Sequence, residues 1–133
     1  MLNKDDIFNI LNKYSKLDKN EYIVISGAAM VIHDIKENAK DIDIAVTKNL
    51  YDKLIQNYDC KFERFDDKSN INIYYIDDVI NFSTNYIDSE YETINGIKVQ
   101  TPKDIINLKK KLNRKKDKID ILKIKEYLND KDR

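Results

Sequence analysis

The sequence predicts a mixed α+β domain in which one sheet is partly covered by helices. Two observations lead to this prediction: helical and β-branched segments alternate in the first half of the chain, and several short β-branched segments then follow one another. At 133 residues the chain has the length of a single domain, with a sheet core over residues 1–100 and a helical part over residues 101–133.

The first half of the chain alternates between two periodicities. Apolar residues three and four apart predict an amphipathic helix, EYIVIS is a short β-branched run that ends at a Ser-Gly turn, and DIDIAV alternates polar and apolar residues. Thr47 is a good N-cap for the helix that follows. The predicted elements are a helix at residues 2–17, a strand at 21–26, a helix at 28–35, a strand at 41–46 and a helix at 48–57.

The second half begins with four short β-like segments, which favour antiparallel pairing. Asn95-Gly96 inside the last of them is a strong hairpin signal. The motif TPKD then supplies an N-cap, a proline at the first helical position and an early acidic residue. The predicted strands lie at residues 60–65, 71–76, 78–83 and 91–100, and the helices at 102–112 and 118–128, the second with Ile119, Leu122, Ile124 and Leu128 on its apolar side.

Composition excludes several classes of protein. The 24 basic and 24 acidic side chains balance, so no overall field draws the chain to nucleic acid or to a membrane. No segment approaches the roughly 20 apolar residues of a membrane span, and the charged N-terminus does not resemble a signal peptide. Cys60 is the single cysteine, which excludes cysteine-rich zinc sites and agrees with a reducing compartment. We therefore expect a cytoplasmic protein without a membrane partner.

Asp41 and Asp43 form the most informative pair of residues in the chain. Residues two apart on a strand share a face, so the carboxylates lie side by side while Ile42 and Ile44 point to the core. Two like charges about 4 Å apart repel by roughly 1 kcal/mol in water, and by more where solvent is excluded. Either the pair lies on a solvated acidic face, or it binds a cation such as Mg²⁺, which prefers oxygen ligands.

The Ser26-Gly27 turn favours the second interpretation, in which the acidic pair binds the metal of a nucleotide. The turn ends a strand and opens a helix, where unpaired backbone N–H groups attract anions such as phosphate, and Gly27 permits a close approach. If the strands at residues 21–26 and 41–46 are neighbours, the turn and the carboxylates border one pocket for a triphosphate and its metal.

The block ISGAAMVIHDIKENAKDIDIAV resembles the motif of the minimal nucleotidyltransferases of the DNA-polymerase-β type superfamily. In that motif a strand ends in Gly-Gly or Gly-Ser, a short helix follows, and the next strand carries Asp-hydrophobic-Asp. The chain is similar to the branch that contains lincosamide and toxin–antitoxin nucleotidyltransferases. The run TPKDIINLKKKLNRKKDKIDI is also similar to that family's helix with a basic residue followed by Arg-x-x-Asp-x-x-Asp. The resemblance implies a nucleotidyltransferase-like mixed sheet flanked by helices, with two helices at the C-terminus.

The resemblance also implies a reaction and the residues that perform it. The reaction would be transfer of a nucleoside monophosphate from an NTP to a hydroxyl group of a small molecule, a tRNA or a protein. The implied roles are catalysis and Mg²⁺ binding for Asp41 and Asp43, and nucleotide binding for Ser26, Gly27, Lys109 and Arg114.

Asn81 departs from the family pattern, which usually has a third, catalytic carboxylate on a later strand. An amide can accept a hydrogen bond or offer its carbonyl oxygen to a metal, but it carries no charge and cannot act as a base. Asp77 or Asp78 could take that role in a shifted register, the enzyme could work with two aspartates and Asn81, or activity could be lost.

Two further interpretations of the chain follow from these residues. A non-catalytic module could keep the pocket to bind a nucleotide or a partner protein, as a toxin–antitoxin component or a nucleotide sensor. An RNA-binding adaptor could use the basic run at residues 109–116.

The three-residue spacing of Arg114, Asp117 and Asp120 permits either an intrahelical ion pair or a carboxylate face turned to the pocket.

Overall fold

The structure is a computed structural model that describes residues 1–131. These residues form a mixed α+β fold that ends in two helices, as the sequence predicts. The elements are α1 (Lys4–Lys13), β1 (Tyr22–Ile25), α2 (Ser26–Ile32), β2 (Ile42–Val46), α3 (Lys48–Asn57), β3 (Cys60–Asp66), β4 (Ile71–Ile76), β5 (Ile80–Ser83), β6 (Tyr91–Ile94), β7 (Ile97–Gln100), α4 (Pro102–Leu112) and α5 (Lys115–Lys131).

The strands form one mixed sheet in the order β3-β4-β5-β2-β1-β7-β6. The pairs β1–β2, β3–β4, β4–β5 and β6–β7 are antiparallel, and Asn95 and Gly96 have the positive φ values of 51° and 78° that suit a tight hairpin turn. Two contacts are parallel, β2 with β5 and β1 with β7. The sequence did not predict these contacts, which place β1 and β2 at the centre of the sheet.

The two faces of the sheet are covered differently. Ile42 and Ile44 of β2 are 0% and 2% exposed, and they belong to a main core to which all five described helices contribute. On the opposite face Ile25 and Ala45 form a small cluster that the segment after β5 covers with Tyr86. The second face is therefore covered by a loop segment, and Asp43, which alternates with Ile42 and Ile44, lies on it.

Local signals set the helix starts. The Thr47 hydroxyl oxygen accepts a hydrogen bond from the backbone N–H of Leu50, and Thr101 caps α4 in the same way. Asn3 forms a capping box with Asp6 at the start of α1, and the helix lies inside the predicted range of residues 2–17.

Among the described helices, none combines the length and the apolar character that a membrane crossing demands.

The predicted apolar side of the last helix is wrong at Ile119 and Leu122, whereas Ile124 is fully buried and Leu128 packs against the core as predicted. Ile119 and Leu122 are 52% and 63% exposed, whereas Asp117 and Asp120 are buried on the same helix. The reason is electrostatic, because both carboxylates pair with the buried Lys109 of α4. The helix is turned so that its acidic residues face the core.

Candidate active site

Asp43 lies in a row of side chains that runs across the sheet. It is paired with Ile25 at the end of β1 on one side and with Asn81 of β5 on the other, and Asn81 is paired with Tyr75 of β4. Directly paired residues project from the same face, so these side chains are neighbours. The pairing confirms that the strand leading to the Ser26-Gly27 turn lies beside the strand of the aspartates.

Asp41 and Asp43 are both half-buried. The Tyr75 hydroxyl lies 3.4 Å from Asp41 Oδ2 and donates to it, but within residues 1–131 no side chain forms a hydrogen bond or an ion pair with the Asp43 carboxylate. Burial and the charge of Asp41 raise the pKa of Asp43 to about 7, although Lys109 and Lys116 pull it down. Burial and the neighbouring carboxylate therefore outweigh the two lysines in setting the pKa of Asp43.

The Ser26-Gly27 turn directly follows Ile25, the partner of Asp43, and so borders the carboxylates. An ideal Cβ on Gly27 would meet nothing within 4 Å, which shows that the space beside this residue is open. The backbone N–H of Ser26 donates to the side-chain oxygen of Gln100 at 2.9 Å and is not free for a ligand. Nucleotide binding by the turn stays a prediction for Ser26 and Gly27.

Asn81 is the residue of β5 that lies beside Asp43. The two acidic residues considered as its replacement lie in the β4–β5 turn and contact other residues. Asp77 accepts a hydrogen bond from the Tyr14 hydroxyl at 2.6 Å, and the exposed Asp78 lies 3.5 Å from the ammonium group of Lys61. The position next to Asp43 thus belongs to an amide.

The C-terminal helices form a buried ion-pair network. The side chain of Lys109 is 4% exposed, and its Nζ lies 3.5 Å from Asp117 and 3.0 Å from Asp120. Asp120 also pairs with Lys36, which follows α2, at 3.0 Å. Lys109 is therefore engaged inside the protein, where its charge still lowers the pKa of Asp43. This burial removes one cation from the exposed basic run at residues 109–116.

Arg114 precedes α5 and is 47% exposed. Its Nε and Nη2 donate to the two carboxylate oxygens of Asp117 at 2.7 and 3.1 Å, so the ion pair that the spacing permits is present. The hydrogen bonds from Arg114 to Asp117 and, further away, the charge of Asp43 raise the pKa of the guanidinium group. Arg114 and the exposed Lys116 consequently place positive charge near the acidic pair.

Glu63 is a residue of this region that the sequence analysis missed. The pairing of β3 with β4 skips Glu63 between Phe62 and Arg64, which is the geometry of a β-bulge. Together with burial and Asp41, the charge of Glu63 raises the pKa of Asp43, so the two carboxylates lie within electrostatic reach. The signal was present in CKFERF, where two consecutive polar residues break the alternation.

The oxygen-rich surroundings of Asp43 fit a hard cation. Residues 1–131 contain no group of three His, Cys, Asp or Glu side chains that could hold a metal ion. The carboxylate ligands that the resemblance implies are Asp41 and Asp43. Mg²⁺ is commonly bound through one or two carboxylates, with water and substrate phosphates in the remaining positions. The donor set therefore fits Mg²⁺ better than zinc, which favours nitrogen and sulfur ligands.

Comparison of the chain with protein-family models, with curated proteins and with solved structures finds no significant match. What the acidic pair binds must therefore be inferred from the geometry of the site.

Proposed function

We propose that this chain is a nucleotidyltransferase of the DNA-polymerase-β type, which transfers a nucleoside monophosphate from an NTP to a hydroxyl group with Mg²⁺ bound by Asp41 and Asp43. The observation that carries the proposal is the position of this half-buried acidic pair beside the Ser26-Gly27 turn. A cation would relieve the repulsion within the pair and bind the phosphates. The single cysteine agrees with a cytoplasmic setting for the reaction.

In the proposed reaction the acceptor hydroxyl oxygen attacks the α-phosphorus of the NTP. The bond from this phosphorus to the oxygen bridging the α- and β-phosphates breaks, pyrophosphate leaves, and the hydroxyl proton passes to solvent. When bound, Mg²⁺ supplies charge neutralisation at the phosphates. Asp41 and Asp43 hold and orient the cation, and Arg114 and Lys116 offer positive charge to the departing pyrophosphate.

The direct test is transfer of label from each α-labelled NTP, with Mg²⁺, to three acceptor pools: small metabolites, bulk tRNA and protein. We expect pyrophosphate release and label in one pool, and we expect Asp43→Asn to abolish both. The matched control is Asp67→Asn, which changes an exposed carboxylate in the turn after β3 and keeps the activity. Lack of Mg²⁺-dependent transfer to every pool would contradict the proposal.

A second candidate is a non-catalytic module that binds a nucleotide or a partner protein, and Asn81 is the observation that favours it. An amide beside Asp43 cannot accept the proton of an acceptor hydroxyl as a base. A binding module is expected to bind Mg²⁺ and an NTP analogue without turnover, and Asn81→Asp could then create pyrophosphate release. Turnover by the unmodified chain would rule this candidate out.

A further inference from the structure

Ser26 has an unusual backbone conformation beside the acidic pair. Its φ is 59°, in the left-handed region that non-glycine residues rarely adopt, and it is the first residue of α2. Such a conformation costs on the order of 1 kcal/mol and persists only where the surroundings hold it in place. The surrounding contacts therefore determine the shape of the Ser26-Gly27 turn.

Gln100, the last residue of β7, holds this turn. Its side chain is fully buried, its Oε1 accepts from the backbone N–H of Ser26 at 2.9 Å, and its Nε2 donates to Asp104 Oδ2 at 2.9 Å. Its main-chain oxygen lies 2.8 Å from His33 Nε2 and can only accept, so the imidazole donates. Gln100 thus links the start of α2, the end of α2 and the first turn of α4.

The pairing of the strands explains why a residue of β7 reaches the turn. β7 runs parallel to β1 with Val99 paired to Val24, so Gln100 leaves the sheet next to Ile25 and Ser26. A buried amide that loses such partners leaves polar groups unpaired, at a cost of about 1–3 kcal/mol. The arrangement favours one conformation of the turn over its alternatives.

We propose that Gln100 is a positioning residue for the nucleotide site. It fixes the Ser26-Gly27 turn at a defined place beside Asp43, so that a polyphosphate bound to the metal also meets the turn. Gln100 acts through Ser26 and does not itself contact the ligand. This inference rests on the proposed function and adds to it the residue that holds the turn in place.

The test compares binding of inorganic tripolyphosphate in the presence of Mg²⁺ with binding of Mn²⁺ alone. We expect Gln100→Met to weaken tripolyphosphate binding about tenfold, to leave Mn²⁺ binding unchanged and to speed amide exchange at Ser26. Gln56→Met, which changes an exposed glutamine of α3, is the matched control and is expected to bind like the unmodified protein.

A rescue variant keeps the test decisive if Gln100→Met fails to fold. Gln100→Glu alone brings two carboxylates together and is expected to weaken binding. Gln100→Glu/Asp104→Asn exchanges donor and acceptor, restores both hydrogen bonds, and is expected to recover binding to within about twofold. Failure of this recovery would overturn the inference.

The remaining outcomes separate this inference from the proposed function. If the unmodified protein binds tripolyphosphate and Gln100→Met binds it equally well despite faster exchange at Ser26, only the role of Gln100 is overturned. If the unmodified protein binds no tripolyphosphate with Mg²⁺, the proposed function falls, and the inference falls with it.

Discussion

Tyr22 carries a hydroxyl group that is buried without a hydrogen-bond partner among residues 1–131. The side chain is 1% exposed in β1, and burial raises the pKa of the hydroxyl well above its usual value. A buried polar group without a partner costs about 1–3 kcal/mol. Tyr14 offers a natural comparison, because its hydroxyl donates to Asp77 at 2.6 Å.

We expect Tyr22→Phe to raise the free energy of unfolding by about 1 kcal/mol, since it removes only an unpaired group. Tyr14→Phe, the matched control, is expected to lower that free energy by about 1 kcal/mol because it deletes a formed hydrogen bond. Urea denaturation at constant m-value measures both changes. Equal destabilisation by the two substitutions would show that the Tyr22 hydroxyl has a partner.

Single residues could be predicted from the sequence where their role depends on close neighbours in the chain. The caps Thr47 and Thr101 act on N–H groups three residues away, and both were predicted. Glu63 was missed because its place near Asp43 depends on a bulge and on the pairing of strands distant in sequence. The position of Asn81 beside Asp43 was suggested by resemblance, and the strand register agrees with it.

At the level of elements, α5 is attached to the domain partly by charge. Burial raises the pKa of Asp117, but its hydrogen bonds with Arg114 and the charges of Arg114 and Lys109 outweigh this effect and bring the pKa down to about 2. A carboxyl group whose pKa is lower in the folded than in the unfolded state stabilises the protein above its unfolded pKa. That contribution is lost as the pH falls from about 4 to about 2.

We expect Asp117→Asn to lower the free energy of unfolding at pH 7 by on the order of 2 kcal/mol, because Arg114 and Lys109 lose a charged partner. The difference from the unmodified protein should shrink as the pH falls from about 4 to about 2. Chemical denaturation over this range measures it. Asp130→Asn changes an exposed carboxylate of the same helix and serves as the control. A difference that stays constant with pH would contradict this account.

Element types were predictable, but the orientation of α5 was not. Helical periodicity located a helix at residues 118–128, and the helix found is Lys115–Lys131. Its apolar spacing indicated that Ile119 and Leu122 are buried. The aspartates of α5 are buried instead, because they form ion pairs with Lys109 of α4. Hydropathy cannot reveal a partner on another helix, so the orientation depends on a contact outside the pattern.

At the level of the whole molecule, the proposed binding of a cation by Asp41 and Asp43 would link cation binding to stability. We expect Mg²⁺ at about ten times its dissociation constant to stabilise the protein by about 1.4 kcal/mol, seen as a rise in melting temperature. Asp43→Asn should lose this rise. In the presence of EDTA the same variant should be more stable than the unmodified protein by on the order of 1 kcal/mol, because the repulsion from Asp41 disappears.

The matched control for this measurement is Asp67→Asn, which should keep the Mg²⁺-dependent rise. A variant Asp43→Asn that is destabilised in EDTA and still responds to Mg²⁺ would contradict cation binding at this pair.

The order of the strands was the least predictable feature of the molecule. The antiparallel hairpins follow from short turns such as Asn95-Gly96, whose backbone preferences are local. The parallel contacts of β2 with β5 and of β1 with β7 join distant segments, and no turn residue specifies them. Those contacts place Asn81 next to Asp43 and Gln100 next to Ser26, so the least predictable contacts are the ones that build the candidate site.

The bulge at Glu63 has a consequence for how the protein behaves in concentrated solution. β3 is an outer strand, and outer strands offer unpaired backbone groups on which another molecule can add a strand. A bulge interrupts the regular spacing of these groups, and the exposed Lys61 and Arg64 add repulsion between copies. The irregularity that places a carboxylate near Asp43 therefore also discourages growth of the sheet into intermolecular aggregates.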